Sequence, residues 1–375
     1  MKKHVLLVTS GGLDKSGVPT VIMTIVRALR EEYDFDILLG TNAEGYFDPE
    51  FCQYGGRIFR CPKRHFRHGP LNTLADFLRP VAMFFAIRRL IARSGPYDIV
   101  HCHNEFDMAG GLAAAASRGV PVRVGHVHKT WGRRGGPLTR LYRRYCRRLI
   151  HAWATARLAC SQQAGEAFYG AGIGFQAVLN PYDEQRFRPA PRETVGEGGL
   201  RIVQVGYFCD NKNQRFTLEV FRALAAARPD ARLIFIGAAD GLYGESLWQT
   251  ILAEHLEDRV ELLPPDADVP ALMKRSTLLL LPSKAEGFGM TLIEAQAMGL
   301  PCYASDAVPR EANLGGVRFL PLSDGPDAWA KTILDERRFT QKVPCDCSAF
   351  TTGRFAEAIR KAYQSSGASR PKDQA

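Results

Sequence analysis

The chain has 375 residues, more than one ordinary hydrophobic core holds, so its length predicts two domains. Its 46% apolar content is that of a globular protein, and no apolar run approaches the length of a membrane-spanning helix. The formal net charge is +10, and the nine cysteines lack the paired spacing of a disulfide framework, so we expect reduced thiols in a cytosolic protein.

Strand and helix signals alternate along the first half of the chain. The run HVLLV is predicted to be the first strand rather than a signal peptide, because it is short and leads into glycines. Further strands are predicted at 35–40, 99–102, 122–128 and 157–160, with helices between them, including the alanine-rich GLAAAASR.

The second half repeats this alternation after a connector rich in proline, glycine and charge. Its predicted strands are RIVQVG, RLIFIG, VELL, TLLLL and PCYAS. The pattern predicts an α/β protein with two doubly wound domains that face each other across a cleft. We place these domains at 1–180 and 181–350, a helix that packs back toward the first domain at 351–363, and a disordered tail at 364–375.

One strand, loop and helix unit carries the strongest chemical signal. The buried strand TLLLL leads into the loop 282–289, and a helix follows from Met290 to Met298, ended by Gly299 and Pro301. In parallel α/β units, ligands bind at the carboxyl ends of the strands. The sequence therefore predicts a binding site in this loop.

Two glutamates bracket the predicted site. Gly287 and Gly289 let the backbone approach a ligand, and the free N–H groups of a helix start favour an anion. Because carboxylates repel phosphate, Glu286 and Glu294 are expected to bind neutral hydroxyl groups beside it, as a sugar and a ribose would supply. A solvated helix face with a glutamate in a turn is the alternative interpretation.

At these residues the chain resembles a known family. EGFGMTLIEA is similar to the E-x7-E signature of the retaining glycosyltransferases of family 4, which have the GT-B fold. SGGLDKSGVPTVIMTIVRAL resembles the glycine-rich first loop and helix of bacterial exopolysaccharide enzymes in that family. YDIVHCHN, VRVGHVHK, ACSQQAGEAFYG, VLNPYDEQRF, VGYFCDNKNQ and SDAVPRE follow in the family's order. The resemblance implies two Rossmann-like domains, with the acceptor on the first and the nucleotide sugar on the second.

The resemblance also implies roles for individual residues. Glu294 would bind the ribose hydroxyls, Glu286 the hydroxyls of the transferred sugar, and Lys212 the leaving diphosphate. The other donor-binding residues of the second domain would be Tyr207, Asn213, Gly287, Phe288, Gly289, Met290 and Thr291.

One of these positions departs from the family. Tyr207 stands where the family usually has an arginine, and a phenol brings no charge to a phosphate. Three explanations stay open: Arg215 or another residue compensates, the leaving group is bound more weakly, or the enzyme is impaired.

Further candidates lie in the first domain. Gly12 and Gly17, in the turn after the first strand, are expected near the donor, although turn geometry alone would explain them. The family places a histidine at the end of the VRVGHVHK strand, and His128 is the better match, with a role in orienting the donor sugar. His126, together with His103 and Asn104, is predicted on the acceptor side. A core or surface histidine is the alternative for His128.

Metal-like patterns are present but isolated. HCH (101–103) and CDC (345–347) resemble ligand spacings, yet no second ligand cluster accompanies either in the sequence. The Asp-x-Asp strings at 34–36 and 266–268 occupy expected turn or cap positions. We therefore predict no metal and no other cofactor.

Much of the positive charge falls in the segment 129–157. Its apolar and aromatic residues recur at helical spacing among arginine pairs: Leu138, Leu141, Tyr142, Tyr145, Leu149 and Trp153. A second basic stretch at 61–68 precedes another amphipathic segment. The pattern favours docking on the anionic inner face of the cell membrane, with a core helix that has a solvated basic face as the alternative. No nucleic-acid-binding motif is recognised, so nucleic acid is not an expected partner.

The sequence thus predicts a retaining hexosyltransferase. Its donor would be a nucleotide sugar, with UDP expected, and its acceptor a glycan or polyprenyl-linked saccharide in exopolysaccharide or surface-polysaccharide synthesis. Two alternatives remain: a nucleotide-sugar epimerase of the same fold, and a non-catalytic nucleotide-binding partner subunit, which the presence of Tyr207 would suit.

Overall fold

The protein is described by a computed structural model covering residues 2–61, 70–103, 105–130, 136–170, 172–189, 199–239, 241–337 and 345–365, with the backbone alone for 70–77. The chain divides into two compact units, residues 1–181 with 352–375 and residues 182–351. The predicted boundary lay between residues 180 and 181. The tail predicted at 364–375 lies outside the described residues from 366 onward, as do 62–68 of the second basic stretch.

Thirteen strands lie in the described residues. They are β1 (Lys3–Thr9), β2 (Tyr33–Leu39), β3 (Ile58–Arg60), β4 (Ile99–His103), β5 (Val122–Val127), β6 (Ala156–Ala159), β7 (Gln176–Ala177), β8 (Arg201–Val205), β9 (Arg232–Ile236), β10 (Val260–Leu263), β11 (Leu278–Leu281), β12 (Cys302–Ser305) and β13 (Val317–Leu320). All ten segments predicted as strands are strands. The short β3, β7 and β13 were not predicted.

The described part of the chain also contains twelve α-helices. They are α1 (Gly17–Leu29), α2 (Asp48–Gln53), α3 (Pro70–Ser94), α4 (Met108–Ser117), α5 (Pro137–Trp153), α6 (Gln162–Tyr169), α7 (Gln214–Ala227), α8 (Gly241–Ala253), α9 (Val269–Arg275), α10 (Met290–Ala297), α11 (Gly325–Glu336) and α12 (Thr352–Gln364). Among the described residues, no helix combines the length and apolarity that crossing a membrane requires.

The first unit is built on a seven-stranded sheet of order β3-β2-β1-β4-β5-β6-β7, in which every neighbouring pair is parallel. The central strand β1 is buried from Val5 to Val8, as expected for a strand covered on both faces. Helix α4 packs on both α3 and α5. Its Gly110 approaches α3 so closely that a Cβ would lie 1.8 Å from the Pro80 oxygen, which explains the small residues of this helix.

The second unit has a six-stranded parallel sheet of order β10-β9-β8-β11-β12-β13. This is the doubly wound order, in which the chain reverses direction across the sheet between β8 and β11. Ligands of such sheets bind beyond the carboxyl ends of the strands at that point. The loops that follow β8 and β11 therefore define where the site of this unit lies.

The last helix belongs to the first unit. Helix α12 packs against α1 and β5, and Arg360 forms a bidentate ion pair with Glu32, with N–O distances of 2.9 and 2.8 Å. Its Tyr363 is fully buried and contacts the Tyr33 ring edge-on. The chain thus returns to the first unit after residue 351.

One of the two Asp-x-Asp strings has a structural role that the sequence did not indicate. Asp36 is not in a turn: it lies inside β2, 2% exposed, and accepts hydrogen bonds from Arg57 and from the Tyr97 hydroxyl, each with a closest distance of 2.6 Å. Asp268 is the predicted cap, because its side chain accepts from the Ala271 N–H at the start of α9. All nine cysteines lie in the described residues, and none is paired with another.

Candidate active site

The loops after β8 and β11 meet through an ion pair. Lys212 Nζ lies 2.6 Å from Glu286 Oε1, and both side chains are largely buried, with exposed fractions of 21% and 11%. The two residues are 74 positions apart in the chain. The structure therefore brings together the two charged residues that were predicted to hold the diphosphate and the transferred sugar.

Further hydrogen bonds tie the same two loops together. Asn211 Nδ2 donates to the Ala285 carbonyl at 2.9 Å, and the Lys284 N–H donates to the Asn211 carbonyl at 2.8 Å. Asn213, a predicted donor-binding residue, donates instead to the Pro282 carbonyl at 3.2 Å. Asn211 was missed because a loop asparagine carries no sequence signal for its partner. These bonds fix the spacing between Lys212 and the start of α10.

Two glycines make room at the site. Gly206, which ends β8, has a φ of 150°, and a Cβ there would lie 3.2 Å from Lys212 Cε. Gly289 caps α10 with a φ of 95°, and a Cβ would lie 3.2 Å from Val308 Cγ1. Both positions therefore require glycine for their backbone conformation and their close contacts.

Helix α10 is held in place by buried side chains. Phe288 is 3% exposed and stacks near Phe350, with ring centroids 5.8 Å apart. Gln296 donates to the carbonyls of Leu292 and Ala312 and accepts from the N–H groups of Leu314 and Gly316. This anchoring holds the start of α10, whose first residues, Met290 and Thr291, follow Glu286 by four and five positions, and the free N–H groups of a helix start attract an anion.

Glu294 lies one turn into α10 and is only partly exposed. Burial raises the pKa of its carboxyl to about 8, an effect opposed by the positive charge of Arg186 and increased by the negative charge of Asp183. A carboxyl group in this state readily changes protonation when a polar ligand arrives. Arg186 and Asp183 belong to the family-like string VLNPYDEQRF, but the sequence did not connect them with Glu294.

The family's missing arginine is not replaced by Arg215 in this structure. Arg215 donates to the Ser246 hydroxyl at 2.9 Å and stacks on the Tyr243 ring, so its charge is directed at α8. Tyr207 is 51% exposed, while its carbonyl accepts a hydrogen bond from Gln214 at 3.1 Å. The phenol is therefore accessible, and Lys212 forms an ion pair with Glu286.

The glycine-rich turn of the first unit lies against the end of β2. A Cβ on Gly12 would lie 3.0 Å from Thr41 Cγ2, and the Gly11 carbonyl accepts from the Gly40 N–H at 3.1 Å. Gly17 begins α1 and has open space around it. Close packing therefore accounts for Gly12 but not for Gly17, and donor contact by either stays a prediction.

The predicted histidines are gathered at one edge of the first sheet. His103 and His126 are register partners on β4 and β5, and His128 follows β5 directly. They are 2%, 0% and 7% exposed, and His103 Nδ1 lies 2.9 Å from His128 Nε2. Their roles toward donor and acceptor stay predictions, and Asn104 lies outside the described residues.

The predicted basic helix is α5. Cys146 and Ile150 are buried, and Arg147 turns inward, donating to the Ala167 carbonyl at 2.8 Å. An outer face of this helix, formed by Leu138, Arg140, Leu141, Arg144, Tyr145 and Arg148, is exposed. Large apolar side chains and arginines are thus mixed on the solvent-exposed side of this helix.

Two parallel-sheet Rossmann-like units, one of which joins a lysine, a glutamate and a helix start at its switch point, define the protein as a GT-B glycosyltransferase. Family models support this: "Glycosyl transferase 4-like domain" matches residues 16–183 and "Glycosyl transferases group 1" matches residues 199–335. The chain is also 32% identical over 348 residues to the Bacillus subtilis (strain 168) protein named "Putative glycosyltransferase EpsF", covering 88% of this chain and 87% of that one. The chain belongs to the family 4 glycosyltransferases.

Two more relatives widen the comparison. The Escherichia coli UDP-Gal:alpha-D-GlcNAc-diphosphoundecaprenol alpha-1,3-galactosyltransferase is 26% identical over 236 residues, 56% of this chain and 58% of that enzyme. The crystal structure of Anabaena HepE in complex with UDP-glucose superposes with a TM-score of 0.75 at 20% identity, covering 96% of this chain and 99% of HepE. The second match shows the shared fold.

Proposed function

We propose that this glycosyltransferase moves a hexosyl group from a UDP-sugar to a glycan or polyprenyl-linked saccharide, with retention of anomeric configuration. The observation that carries the proposal is the Lys212–Glu286 ion pair beside the start of α10. It places a fixed cation, a carboxylate and helix N–H groups together, which are the groups that a sugar diphosphate needs.

Each group has a separate task in this proposal. Lys212 and the N–H groups at the start of α10 stabilise the negative charge that develops on the departing diphosphate, without a metal at that position. Glu286 accepts hydrogen bonds from hydroxyls of the transferred sugar, and Glu294 accepts them from the ribose. Tyr207, accessible at the edge of the same loop, supplies a neutral hydroxyl where the family has an arginine.

The transfer itself needs no protein nucleophile. The acceptor oxygen forms a bond to the anomeric carbon on the face from which the diphosphate leaves, as the bond from that carbon to the phosphate oxygen breaks. The acceptor's hydroxyl proton passes to an oxygen of the leaving diphosphate. Because both events take place on one face, configuration is retained, and His128 has the role of orienting the donor sugar.

The expected substrates follow from the relatives. The Escherichia coli relative is named for UDP-Gal and a diphosphoundecaprenol-linked acceptor, and HepE was crystallised with UDP-glucose. A UDP-hexose and a lipid-linked saccharide are therefore the first substrates to test, and surface or exopolysaccharide assembly is the pathway class that uses them.

A lipid-linked acceptor would be reached at the inner face of the membrane. The outer face of α5 carries Leu138, Leu141 and Tyr145, at 75%, 66% and 59% exposure, among arginines and without an acidic residue in the helix. Helix α3, which packs on the same α4, also exposes large apolar side chains at Leu78, Val81 and Phe85. Apolar side chains mixed with cations suit an anionic bilayer surface.

A nucleotide-sugar screen tests the proposal. The UDP-sugar that is the donor should raise the melting temperature, because it binds the folded chain alone. Incubation with that sugar and a lipid-linked acceptor should then give a product whose anomeric proton coupling by NMR matches the donor's configuration. An altered sugar without any acceptor would instead identify an epimerase, and binding without turnover would identify a non-catalytic subunit.

A further inference from the structure

Four of the nine histidines meet inside the first unit. His101 and His103 alternate on β4, and His126 and His128 alternate at the end of β5, with His103 paired in register to His126. Side chains two positions apart lie on the same face of a strand, so parallel pairing puts all four rings on one face of the sheet. In the sequence, HCH has no second cluster of ligand-type residues near it. In the fold, His126 and His128 lie beside it.

The four rings form a compact buried group. Ring centroids are 4.1 Å apart for His101 and His103, 5.4 Å for His101 and His126, and 5.5 Å for His103 and His126. Cys102, between the first two, points to the opposite face and packs in the hydrophobic core there. The group is therefore made of imidazoles alone.

Most ring nitrogens of this group have no hydrogen-bond partner among the described residues. They are His101 Nε2, His103 Nε2, both nitrogens of His126, and His128 Nδ1. A buried polar atom left without a partner costs about 1–3 kcal/mol, and such atoms in a native protein call for a water or an ion. His126, at 0% exposure with neither nitrogen paired, is the clearest case.

The outer contacts of the rings suit metal ligation. A neutral imidazole offers one nitrogen lone pair to a metal and carries its proton on the other nitrogen. His101 Nδ1 lies 2.9 Å from the Tyr363 hydroxyl, and His103 Nδ1 lies 2.9 Å from His128 Nε2. Metal-bound histidines commonly donate their other N–H to such a partner, which fixes the tautomer.

We propose that His101, His103 and His126 bind one Zn²⁺ ion in the interior of the first unit. One ring nitrogen from each of the three lies within 4.8 Å of the others. Tetrahedral zinc with bonds of about 2.0–2.1 Å needs nitrogens about 3.4 Å apart, so modest side-chain rotations close the site around the ion. Zinc accepts imidazole ligands and has no redox chemistry, and water completes the fourth position.

The zinc would also fix the orientation of His128. With the ion on His103 Nε2, His103 carries its proton on Nδ1 and donates it to His128 Nε2. His128 then carries its own proton on Nδ1. The proposed ion is held by residues of the first unit, whereas the proposed diphosphate site is formed by residues of the second.

Metal content of the full chain, purified without a histidine tag, tests the proposal. After incubation with ZnCl2 and dialysis, mass spectrometry should find about one zinc per chain, and a zinc chelator should lower the melting temperature. His126→Gln should lose the zinc, while His255→Asn, which replaces an exposed histidine outside the group, should keep it. Tyr363→Phe should weaken zinc affinity by about 10- to 100-fold, as the loss of an outer partner does.

Anomalous diffraction from crystals of the parent protein tests for the zinc ion directly, even if a variant fails to fold. Anomalous difference density at the zinc edge among the three rings is the expected result. A parent chain that retains no zinc, or crystals with an ordered water in that place and no anomalous signal, would overturn the proposal. None of these measurements depends on glycosyl transfer, so they stand apart from a test of the proposed activity.

Discussion

Lys212, in the loop that follows β8, forms an ion pair with Glu286, in the loop that follows β11, with 2.6 Å between Nζ and Oε1. A sugar diphosphate that binds there offers Lys212 a more highly charged partner and offers Glu286 sugar hydroxyls. On the proposed function, the pair is a preformed site in which each member would be held in place until the substrate replaces the other. Removing one member affects both the substrate and the residue left behind.

Lys212→Ala should reduce turnover by about 10²- to 10³-fold, roughly 2.7–4 kcal/mol, because one preorganised charge is lost from the leaving-group site. Lys284→Ala is the matched control, since Lys284 forms an equally short ion pair with Asp210 in the same two loops, and its side chain is 43% exposed against 21% for Lys212. Steady-state kinetics with the identified donor measures both. Equal activity of Lys212→Ala and the parent would remove Lys212 from the proposed mechanism.

Glu294 should make nucleotide binding depend on pH. Its pKa of about 8 in the free protein means that the carboxyl is protonated at pH 7, whereas accepting two ribose hydroxyls requires the carboxylate. Affinity should therefore rise with pH by up to about tenfold per unit below pH 8, with proton release on binding. Calorimetry in buffers of different ionisation enthalpy detects the proton.

Glu294→Gln is the control for that titration. It removes the titrating carboxyl, whereas the protonation of the nucleotide itself still contributes to the pH dependence. Its affinity should be weaker than the parent's above pH 8, since an amide accepts hydroxyls less strongly than a carboxylate. The difference should shrink toward pH 6. A ratio between parent and variant that stays constant over this range would contradict the assignment of Glu294.

The same carboxyl should make stability fall as pH rises. Between its ordinary value of 4.5 and about 8, Glu294 is protonated in the folded chain and ionised in the unfolded one. The folded state then binds more protons, so raising the pH over this window lowers the free energy of unfolding. Denaturant melts should show this slope reduced in Glu294→Gln, and an unchanged slope would mean that other groups cause it.

Tyr207→Arg restores the charge that the family usually has at this position. Because Tyr207 is half-exposed, the substitution should fold normally and leave turnover unchanged or raise it. Tyr207→Phe, which removes the hydroxyl alone, should lower activity only if that hydroxyl binds the phosphate. An inactive Tyr207→Arg protein with an unaltered melting temperature would show that the tyrosine has its own role.

Membrane docking should depend on the arginines of the outer face of α5. Replacing Arg144 and Arg148 with serine should weaken binding to anionic vesicles by about 2 kcal/mol, roughly 30-fold, at low salt. Arg143 and Arg147 are unsuitable for this test, because they stack on Phe106 and Phe168 and contribute to packing. Vesicle sedimentation over a salt series measures the change.

The control for charge alone is the loss of Lys274 and Arg275, two exposed cations of α9 in the second unit. That variant should bind vesicles as the parent does. Nucleotide affinity should be unchanged in both variants, since neither changes a residue of the proposed donor site. Normal sedimentation of the Arg144 and Arg148 variant with anionic vesicles would rule out docking through this face.

The sequence by itself determined the class of fold and the main charged residues of the site. Short continuous apolar runs such as LLLL in β11 are typical of strands covered on both faces, and their alternation with helices predicts parallel sheets. Lys212, Glu286 and Glu294 were recognisable because they stand at strand ends and a helix start, which are local features. The strands β3 and β7 were not predicted, because a strand of two or three residues is too short to show a hydrophobic periodicity.

Tertiary structure alone decided which distant residues meet. Lys212 contacts Glu286 because β8 and β11 are neighbours in the sheet, and the charges of Arg186 and Asp183 that act on Glu294 come from a segment remote in the chain. The parallel register of β4 and β5 likewise brought two separate His-x-His strings into one group, and the packing of α5 left some of its arginines in solvent and turned Arg147 toward the Ala167 carbonyl. A local sequence pattern specifies the face of the element on which a side chain lies. Its neighbours from other parts of the chain depend on strand order and helix packing, and these are set by burial of the complete hydrophobic core.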